Sequence, residues 1–178
     1  MKKIRLTPFL TPNHRLRRAP GQEFNPSIRF RVNSKMKKYE TFMASFKLIL
    51  KKGKKILILT ERETGYLDFP GGRIEKKETT LPIKELFKRE VGEEVGKRVK
   101  YKILGPVMQY RRYDKYREIY VLVTVYEAKY LGGEIKLSGE HNKYEWADPK
   151  KLDLKTRKFS NEEEYLAKEE YFKKLTRI

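Results

Sequence analysis

Apolar runs divide most of the chain into short segments typical of β-strands. Residues 40–51 and 55–60 form the first two segments, and a turn at Gly53 separates them. Two longer segments follow at 99–110 and 118–130, the second with the nearly continuous run IYVLVTVYEA. Because β-branched and aromatic residues in such runs favour strands, we expect these segments to form a sheet.

Two further segments carry the end signals of helices. The first has Pro82 in its first turn and ends at Gly96. The second begins at a capping-box pair, Ser160 and Glu163, and continues to about Leu175. Strands around one helix, with another helix near the C-terminus, predict an α/β sandwich.

The composition adds a strong positive charge and excludes some kinds of site. The 178 residues include 43 Lys and Arg against 24 Asp and Glu, a formal net charge of +19. Such a field attracts polyanions, among them nucleotides, RNA and DNA. The absence of Cys excludes disulfides and thiolate metal sites. No apolar run approaches the roughly 18 residues that span a membrane, and no signal peptide is recognisable. We therefore expect a cytoplasmic protein without a membrane partner.

The positive charge is concentrated at the beginning of the chain. Residues 1–38 hold eleven basic residues and four prolines, which predicts a basic N-terminal arm. Such an arm contacts phosphates, covers the active site, joins a dimer or is merely solvated, and its composition leaves these alternatives open. The remaining residues, 39–178, have the size of one domain that includes the C-terminal helix.

The most informative chemistry lies on the first helix, which carries four glutamates, Glu85, Glu90, Glu93 and Glu94. Glu90 and Glu94 are about one turn apart, and Glu93 lies between them in angle, beside the apolar stripe. Like charges at this spacing repel, so the cluster either binds a cation or stays in open water. Carboxylate oxygens suit Mg²⁺ or Mn²⁺. The position beside the core-facing stripe favours the wall of a cleft.

The segment from Gly72 to Lys97 resembles a Nudix box, whose pattern is G-x5-E-x7-R-E-U-x-E-E-x-G-U, with U a bulky aliphatic residue. Gly72 and Glu78 match the first half. The second half matches at the correct spacing through Arg89, Glu90, Val91, Glu93, Glu94 and Gly96. The preceding FPGG at 69–72 resembles the usual lead-in to this box. The chain is therefore similar to the Nudix hydrolases over about residues 39–155.

The match departs from the family pattern at two places. Ten residues separate Glu78 from Arg89, where the family has seven, and Lys97 occupies the last, aliphatic position. The three-residue extension makes Glu78 the least secure part of the resemblance.

The resemblance implies a fold and a reaction. The expected fold is a Nudix-type α/β/α sandwich with a mixed β-sheet. The expected reaction is hydrolysis of a diphosphate linkage in a nucleoside diphosphate linked to X, with Mg²⁺ or Mn²⁺ as cofactor.

The resemblance also implies roles for single residues. Metal binding falls to Glu90 and Glu94, assisted by Glu93 and by the backbone carbonyl of Gly71. The supporting and catalytic roles fall to other box residues: Arg89 orients Glu90, Glu93 also acts in catalysis, and Glu78 and Gly72 support the loop. A further carboxylate commonly comes from beyond the box, and Glu140 is our candidate for a base or extra ligand. The alternative for Glu140 is an acid in a surface turn.

The segment YRRYDKYR at 110–117 is the best indicator of a substrate site. Aromatic rings stack on bases and arginines pair with phosphates, so we expect substrate contacts from Tyr110, Arg111, Arg112 and Tyr113. The alternative is a solvated loop whose tyrosines pack on strand edges. Position 112 is Arg where many ADP-ribose hydrolases have Pro, which disfavours ADP-ribose as substrate.

Three functions remain open at this point. The first is a metal-dependent pyrophosphohydrolase of a small nucleotide or another diphosphate-containing substrate. The second is the same chemistry at the 5′ end of RNA, as in a decapping-type enzyme, and the net charge favours it. The third is a non-catalytic nucleotide- or RNA-binding domain, which the intact acidic set disfavours. The oligomeric state is also open, and Nudix proteins often form homodimers.

Overall fold

A parallel pair of long strands forms the centre of this computed structural model, which describes residues 39–176. The two strands, β1 (Phe42–Lys52) and β6 (Ile119–Gly132), pair in register from one end of β1 almost to the other. The predicted basic arm at 1–38 lies outside the described residues.

Five further strands complete the sheet that the apolar runs predict. They are β2 (Lys55–Glu61), β3 (Leu67–Asp68), β4 (Gly71–Arg73), β5 (Lys100–Asp114) and β7 (His141–Ala147). The strand order is β3-β2-β1-β6-β5, with β4 paired to β1 and β7 paired to β2. Among the described strands every pairing other than β1–β6 is antiparallel, so the sheet is mixed.

Helices cover both faces of the sheet. Helix α1 (Ile83–Val91) continues into a π-helical turn at Gly92–Gly96, and α2 is Glu162–Thr176. Neighbouring strand residues point to opposite faces: Leu48 lies in the core beneath α1, and Ile49 lies in the core beneath α2. The α/β/α sandwich expected from the sequence is thereby confirmed. In the described part of the chain, no helix is both long and apolar enough to cross a membrane.

The ends of several elements differ from the predicted ones. Strand β5 continues to Asp114, so five of the eight residues at 110–117 are strand and not loop. Helix α1 begins at Ile83, and Pro82 occupies its N-cap and not its first turn. Gly96 ends the helical segment as predicted, with a φ of 116° that favours glycine.

The start of α2 uses a different cap from the predicted one. Asn161 Oδ1 accepts a hydrogen bond from the backbone N–H of Glu164 at 2.9 Å. The backbone N–H and hydroxyl of Ser160 both donate to the Glu164 carboxylate. Glu163, the predicted cap partner, pairs with Arg111 on β5. The prediction was one residue early because Ser and Asn are both good N-cap residues.

A buried ion pair fastens α2 to the sheet. The Lys168 side chain is fully buried, and its ammonium donates to Glu164 Oε1 at 2.5 Å and to the carbonyl oxygen of Leu67 at 2.8 Å. The same ammonium lies 5.0 Å from the ring centroid of Phe69, within cation–π distance. These contacts hold α2 against the segment that leads into β4.

Replacement of Lys168 tests how much this ion pair contributes to the stability of the fold. Lys168→Met leaves the Glu164 carboxylate buried without its cation, so we expect the free energy of unfolding to fall by about 3–5 kcal/mol. Urea denaturation measures this loss. Adding Glu164→Gln to the same variant removes the buried charge and should restore part of the stability. A single variant as stable as the wild type would contradict this account.

Candidate active site

A cavity of about 530 Å³ opens where β1, the loop into β4 and helix α1 meet. Charges of both signs line it, including Glu90, Glu94, Lys47 and Arg112. Charged groups away from bulk water are unfavourable unless they are paired or contact a ligand. This cavity is therefore the candidate active site.

The glycine pair allows the chain to pass closely between β1 and α1. Gly71 has a φ of 131°, and a Cβ atom there would overlap the carbonyl oxygen of Phe46. A Cβ atom at Gly72 would overlap the carboxylate of Glu90. The backbone N–H of Gly71 donates to Glu94 Oε2 at 2.9 Å. Glycine is thus required at both positions to bring this loop against both glutamates.

Arg89 joins the two halves of the box despite the extension between them. Its guanidinium donates to both oxygens of Glu78, from Nε at 2.5 Å and from Nη2 at 2.9 Å, and Nη2 also donates to Glu90 Oε1 at 2.7 Å. Glu78 in turn accepts from the backbone N–H of Glu75 at 2.9 Å and so closes the loop. The extra residues lie in the turn between Glu78 and α1. Arg89 thus contacts Glu90, as the resemblance implies, and it also contacts Glu78, which the sequence analysis expected only to support the loop.

Glu90 and Glu94 are buried carboxylates with raised pKa values. Burial raises the pKa of Glu94 to about 7, against the opposing attraction of the Lys47 ammonium. Burial also raises the pKa of Glu90, although the Arg89 guanidinium counteracts this effect. Carboxyl groups in such surroundings favour a bound proton or a bound cation over an exposed negative charge.

A buried polar group beside these glutamates was missed by the sequence analysis. Lys47 Nζ donates to Asp68 Oδ2 at 2.6 Å, and His141 Nε2 lies 3.6 Å from the same oxygen. Burial lowers the pKa of Lys47, but the charges of Asp68 and Glu94 outweigh it, so the net shift is upward. The ammonium thus stays charged beside Glu94. The signal for this group was Lys47 itself, a charged residue inside the apolar run FKLIL.

Three residues of the cavity lining also hold buried nitrogens without a hydrogen-bond partner. Within residues 39–176, the buried side-chain nitrogen and oxygen atoms that lack a hydrogen-bond partner are Nε of Arg73, Nε of Arg112 and both ring nitrogens of His141. All three residues line the cavity. Because buried polar atoms are normally paired, the cavity is suited to a ligand rich in acceptor oxygens, such as a phosphate.

The two remaining predicted acids lie differently with respect to the cavity. Glu140 is exposed and lines the cavity, in the segment that leads into β7. The side chain of Glu93 is 57% exposed and accepts from Arg89 Nη1 at 3.0 Å, outside the cavity lining. Glu90 and Glu94 line the cavity, whereas the Glu93 carboxylate lies against Arg89, and the metal role of Glu93 stays a prediction from the sequence.

The four predicted substrate-binding residues are separated by the strand that carries them. Tyr110 is buried in the core, so its ring is not available to stack on a base. Arg111 is paired with Glu163, and Tyr113 packs on a neighbouring ring away from the cavity. Arg112 is the residue of this set that lines the cavity.

The residues present fit a divalent cation whose coordination is completed by its substrate. Among the described residues, no three His, Cys, Asp or Glu side chains are grouped to hold a metal ion by themselves. Glu90 and Glu94 nevertheless supply oxygen donors, and Gly71 lines the same cavity. Mg²⁺ is usually bound by one or two carboxylates together with substrate phosphates, so two carboxylates are a sufficient protein contribution.

The fold and the cavity together define a class of protein: an α/β/α sandwich whose glycine loop and glutamate-bearing helix meet at one charged cavity. Comparison with protein families agrees with this class, because the NUDIX domain matches residues 42–168. The chain belongs to the Nudix family and is a hydrolase that acts on phosphoric anhydride bonds. Nudix hydrolases generally use divalent metal ions.

Solved structures share this fold at low sequence identity. The MutT protein from Methanosarcina mazei Go1 is 22% identical with a TM-score of 0.59, and the match covers 79% of this chain and 97% of that one. An ADP-ribose pyrophosphatase from Streptococcus suis 89-1591 is 21% identical with a TM-score of 0.52, covering 78% and 94%. A UDP-X diphosphatase is 16% identical with a TM-score of 0.55, covering 79% and 66%. No curated protein matches the sequence.

The raised pKa of Glu94 predicts how the stability of the metal-free protein depends on pH. The pKa of Glu94 is about 7 in the folded protein and has an ordinary value of 4.5. Ionisation of Glu94 therefore destabilises the fold, and stability is lost as the pH rises through this range. Glu94→Gln cannot ionise, so its stability relative to the wild type should rise by roughly 3 kcal/mol between about pH 4.5 and about pH 8.

Urea denaturation of both proteins in the presence of a chelator measures this difference. A stability difference that is the same at both pH values would show that Glu94 is not a carboxyl group of raised pKa.

Proposed function

We propose that the chain is a pyrophosphohydrolase that cleaves a diphosphate linkage in a nucleotide and depends on Mg²⁺ or Mn²⁺. The observation that carries this proposal is the meeting of two sets of groups in one cavity. One set is the buried carboxylates of Glu90 and Glu94, and the other is the Nε atoms of Arg73 and Arg112, which lack hydrogen-bond partners. A diphosphate with its divalent cation satisfies both sets.

Different residues of the cavity bind the cation and the phosphate. Glu90 and Glu94 would hold the cation, and Arg89 keeps the Glu90 carboxylate in place. When bound, a divalent cation neutralises phosphate charge and makes water more acidic. Arg73 and Arg112 bind phosphate oxygens, and the Lys47 ammonium adds positive charge beside Glu94.

Glu140 is the residue that we propose as the base. A general base must lie within reach of the attacking water, and Glu140 is an exposed acid on the cavity wall. Its segment is held to the end of β2, because the backbone N–H of Arg62 donates to the Glu140 carbonyl oxygen at 2.8 Å. Glu93, the alternative from the sequence, is already paired with Arg89.

The nucleotide part of the proposal rests on the similar structures and on charge. Two proteins of the same fold bear the names ADP-ribose pyrophosphatase and UDP-X diphosphatase. The net charge of +19 raises the local concentration of such anions. Many ADP-ribose hydrolases have Pro where this chain has Arg112. We therefore consider ADP-ribose a less favoured substrate than other nucleoside diphosphates linked to X. A cytoplasmic location and a homodimer stay predictions from the sequence.

The metal assignment is tested by charge removal on α1 and the turn that follows it. Glu94→Gln should lower turnover by about a hundredfold or more, because the cation loses a charged ligand. A panel of nucleotides assayed with Mg²⁺ or Mn²⁺, with product analysis, measures turnover and identifies the leaving group. Glu85→Gln is the matched control, since Glu85 lies on the same helix but does not line the cavity. A Glu94→Gln protein as active as this control would remove the metal assignment.

The phosphate assignment is tested at Arg112. Arg112→Gln removes one charge-assisted hydrogen bond to phosphate, so we expect KM to rise about 10- to 100-fold with a smaller change in kcat. Steady-state kinetics on the best substrate of the panel measures both constants. Arg98→Gln removes the same charge from an exposed position outside the cavity lining and serves as control. Equal KM values for the two variants would count against a phosphate contact at Arg112.

A further inference from the structure

Three aromatic rings form a row across the sheet beside the hairpin that joins β5 and β6. Phe42 of β1 pairs in register with Tyr120 of β6, and Tyr120 pairs in register with Tyr113 of β5. The ring centroids of Phe42 and Tyr120 are 6.0 Å apart, and those of Tyr120 and Tyr113 are 5.1 Å apart. Residues opposite one another on neighbouring strands share a face. The three rings therefore form one surface, here called the aromatic row.

The aromatic row remains open among the described residues. Phe42 is 37% exposed, Tyr120 47% and Tyr113 48%. Helix α1 covers the same face of the sheet at a later position along β6, where Phe87 packs on Tyr126. A groove of about 580 Å³ follows the row. Exposed rings that adjoin one another in this way form a candidate interaction surface.

Basic side chains border the aromatic row at the hairpin. Residues 110–118 hold four Arg and Lys against two Asp and Glu. The side chains of Arg111 and Arg117 are 60% and 56% exposed. Glu40 and Glu163 also line the groove, and Arg111 pairs with Glu163 at 3.0 Å. Arg117 pairs with Asp114 at 3.1 Å. The hairpin nevertheless keeps a net charge of +2, four basic against two acidic residues, which favours a partner that combines flat rings with negative charge.

The aromatic row also adjoins the candidate active site across the edge strand. Asp114, next to Tyr113, accepts a hydrogen bond of 2.6 Å from Arg73, which lines the cavity. Arg112 lines the cavity from the opposite face of β5. A chain molecule that occupies the cavity can thus continue around this edge to the row.

We propose that the aromatic row binds single-stranded nucleic acid by stacking its bases on the three rings. Every base has a flat π-face, so such a row accepts many sequences, and the bordering arginines pair with the phosphates between bases. The net charge of +19 acts in the same direction. This binding does not depend on the proposed hydrolysis, because stacking requires no anhydride bond.

Fluorescence anisotropy with a labelled single-stranded RNA tests the stacking. The probe is about 10 nucleotides long, the size of such sites, and ends in a 5′-hydroxyl, so it contains no anhydride bond and is not a substrate. Tyr120→Ala removes the central ring, and we expect binding to weaken about tenfold. Tyr144→Ala is the matched control, because this ring is 41% exposed on β7, away from the row. We expect it to bind like the wild type.

A second probe separates stacking from charge. A strand of the same length with abasic sites keeps the phosphates but lacks the bases, so the wild type should bind it more weakly. Tyr120→Ala should make little further difference to that strand. Equal binding of the RNA by Tyr120→Ala and wild type would overturn the proposal, as would equal binding of the two probes by the wild type.

Two further measurements separate RNA binding by the aromatic row from hydrolysis and from dimer formation. Tyr120→Ala should retain the hydrolysis of small nucleotides, and a wild-type protein without hydrolytic activity would leave the RNA measurement intact. Sedimentation reports whether the row instead joins two copies of the chain. A loss of dimer in Tyr120→Ala with unchanged affinity for RNA would overturn the proposal.

Discussion

The candidate site depends on the hydrogen bonds that the Arg89 guanidinium donates. One guanidinium binds both oxygens of Glu78 and one oxygen of Glu90, while its remaining nitrogen binds Glu93. This arrangement offsets the repulsion that three nearby acids would otherwise exert on one another. The planar geometry is specific to Arg, since a Lys ammonium cannot present parallel donors to a carboxylate. The same contact ties the loop before α1 to the helix and so sets the position of Glu90.

A second constraint is the burial of carboxylates in the cavity wall. Burial disfavours the charged form of Glu94, and the Lys47 ammonium opposes that effect only in part. The metal-free site is consequently poised to bind a proton or a cation at this carboxylate. In the lining of the same cavity, the Nε atoms of Arg73 and Arg112 lack acceptors. The carboxylates thus lack a cation, and the nitrogens lack hydrogen-bond acceptors. A diphosphate that carries a divalent cation supplies both.

The parts of this structure that could be predicted from sequence are those that depend on local spacing. The period of the helix placed Glu90 and Glu94 on one side, and the resemblance to the Nudix box identified Arg89 as the partner of Glu90. The role of Lys47 could not be found in this way, because its hydrogen bond to Asp68 and its attraction to Glu94 join β1 to elements distant in sequence. The extension before Arg89 caused less change than its length suggested, since a turn absorbs added residues at small entropic cost.

The segment at 110–117 shows why adjacent residues of one motif can serve different purposes. As a loop, its tyrosines and arginines could all have turned toward one ligand. As the end of β5, it follows the strand period of two, so Tyr110 and Arg112 point to one face while Arg111 and Tyr113 point to the other. On the first face, Tyr110 is in the core and Arg112 is at the cavity, whereas Tyr113 on the second face joins an exposed row of rings. The edge strand therefore separates the motif into two surfaces and also holds them a fixed distance apart, which a flexible loop could not do.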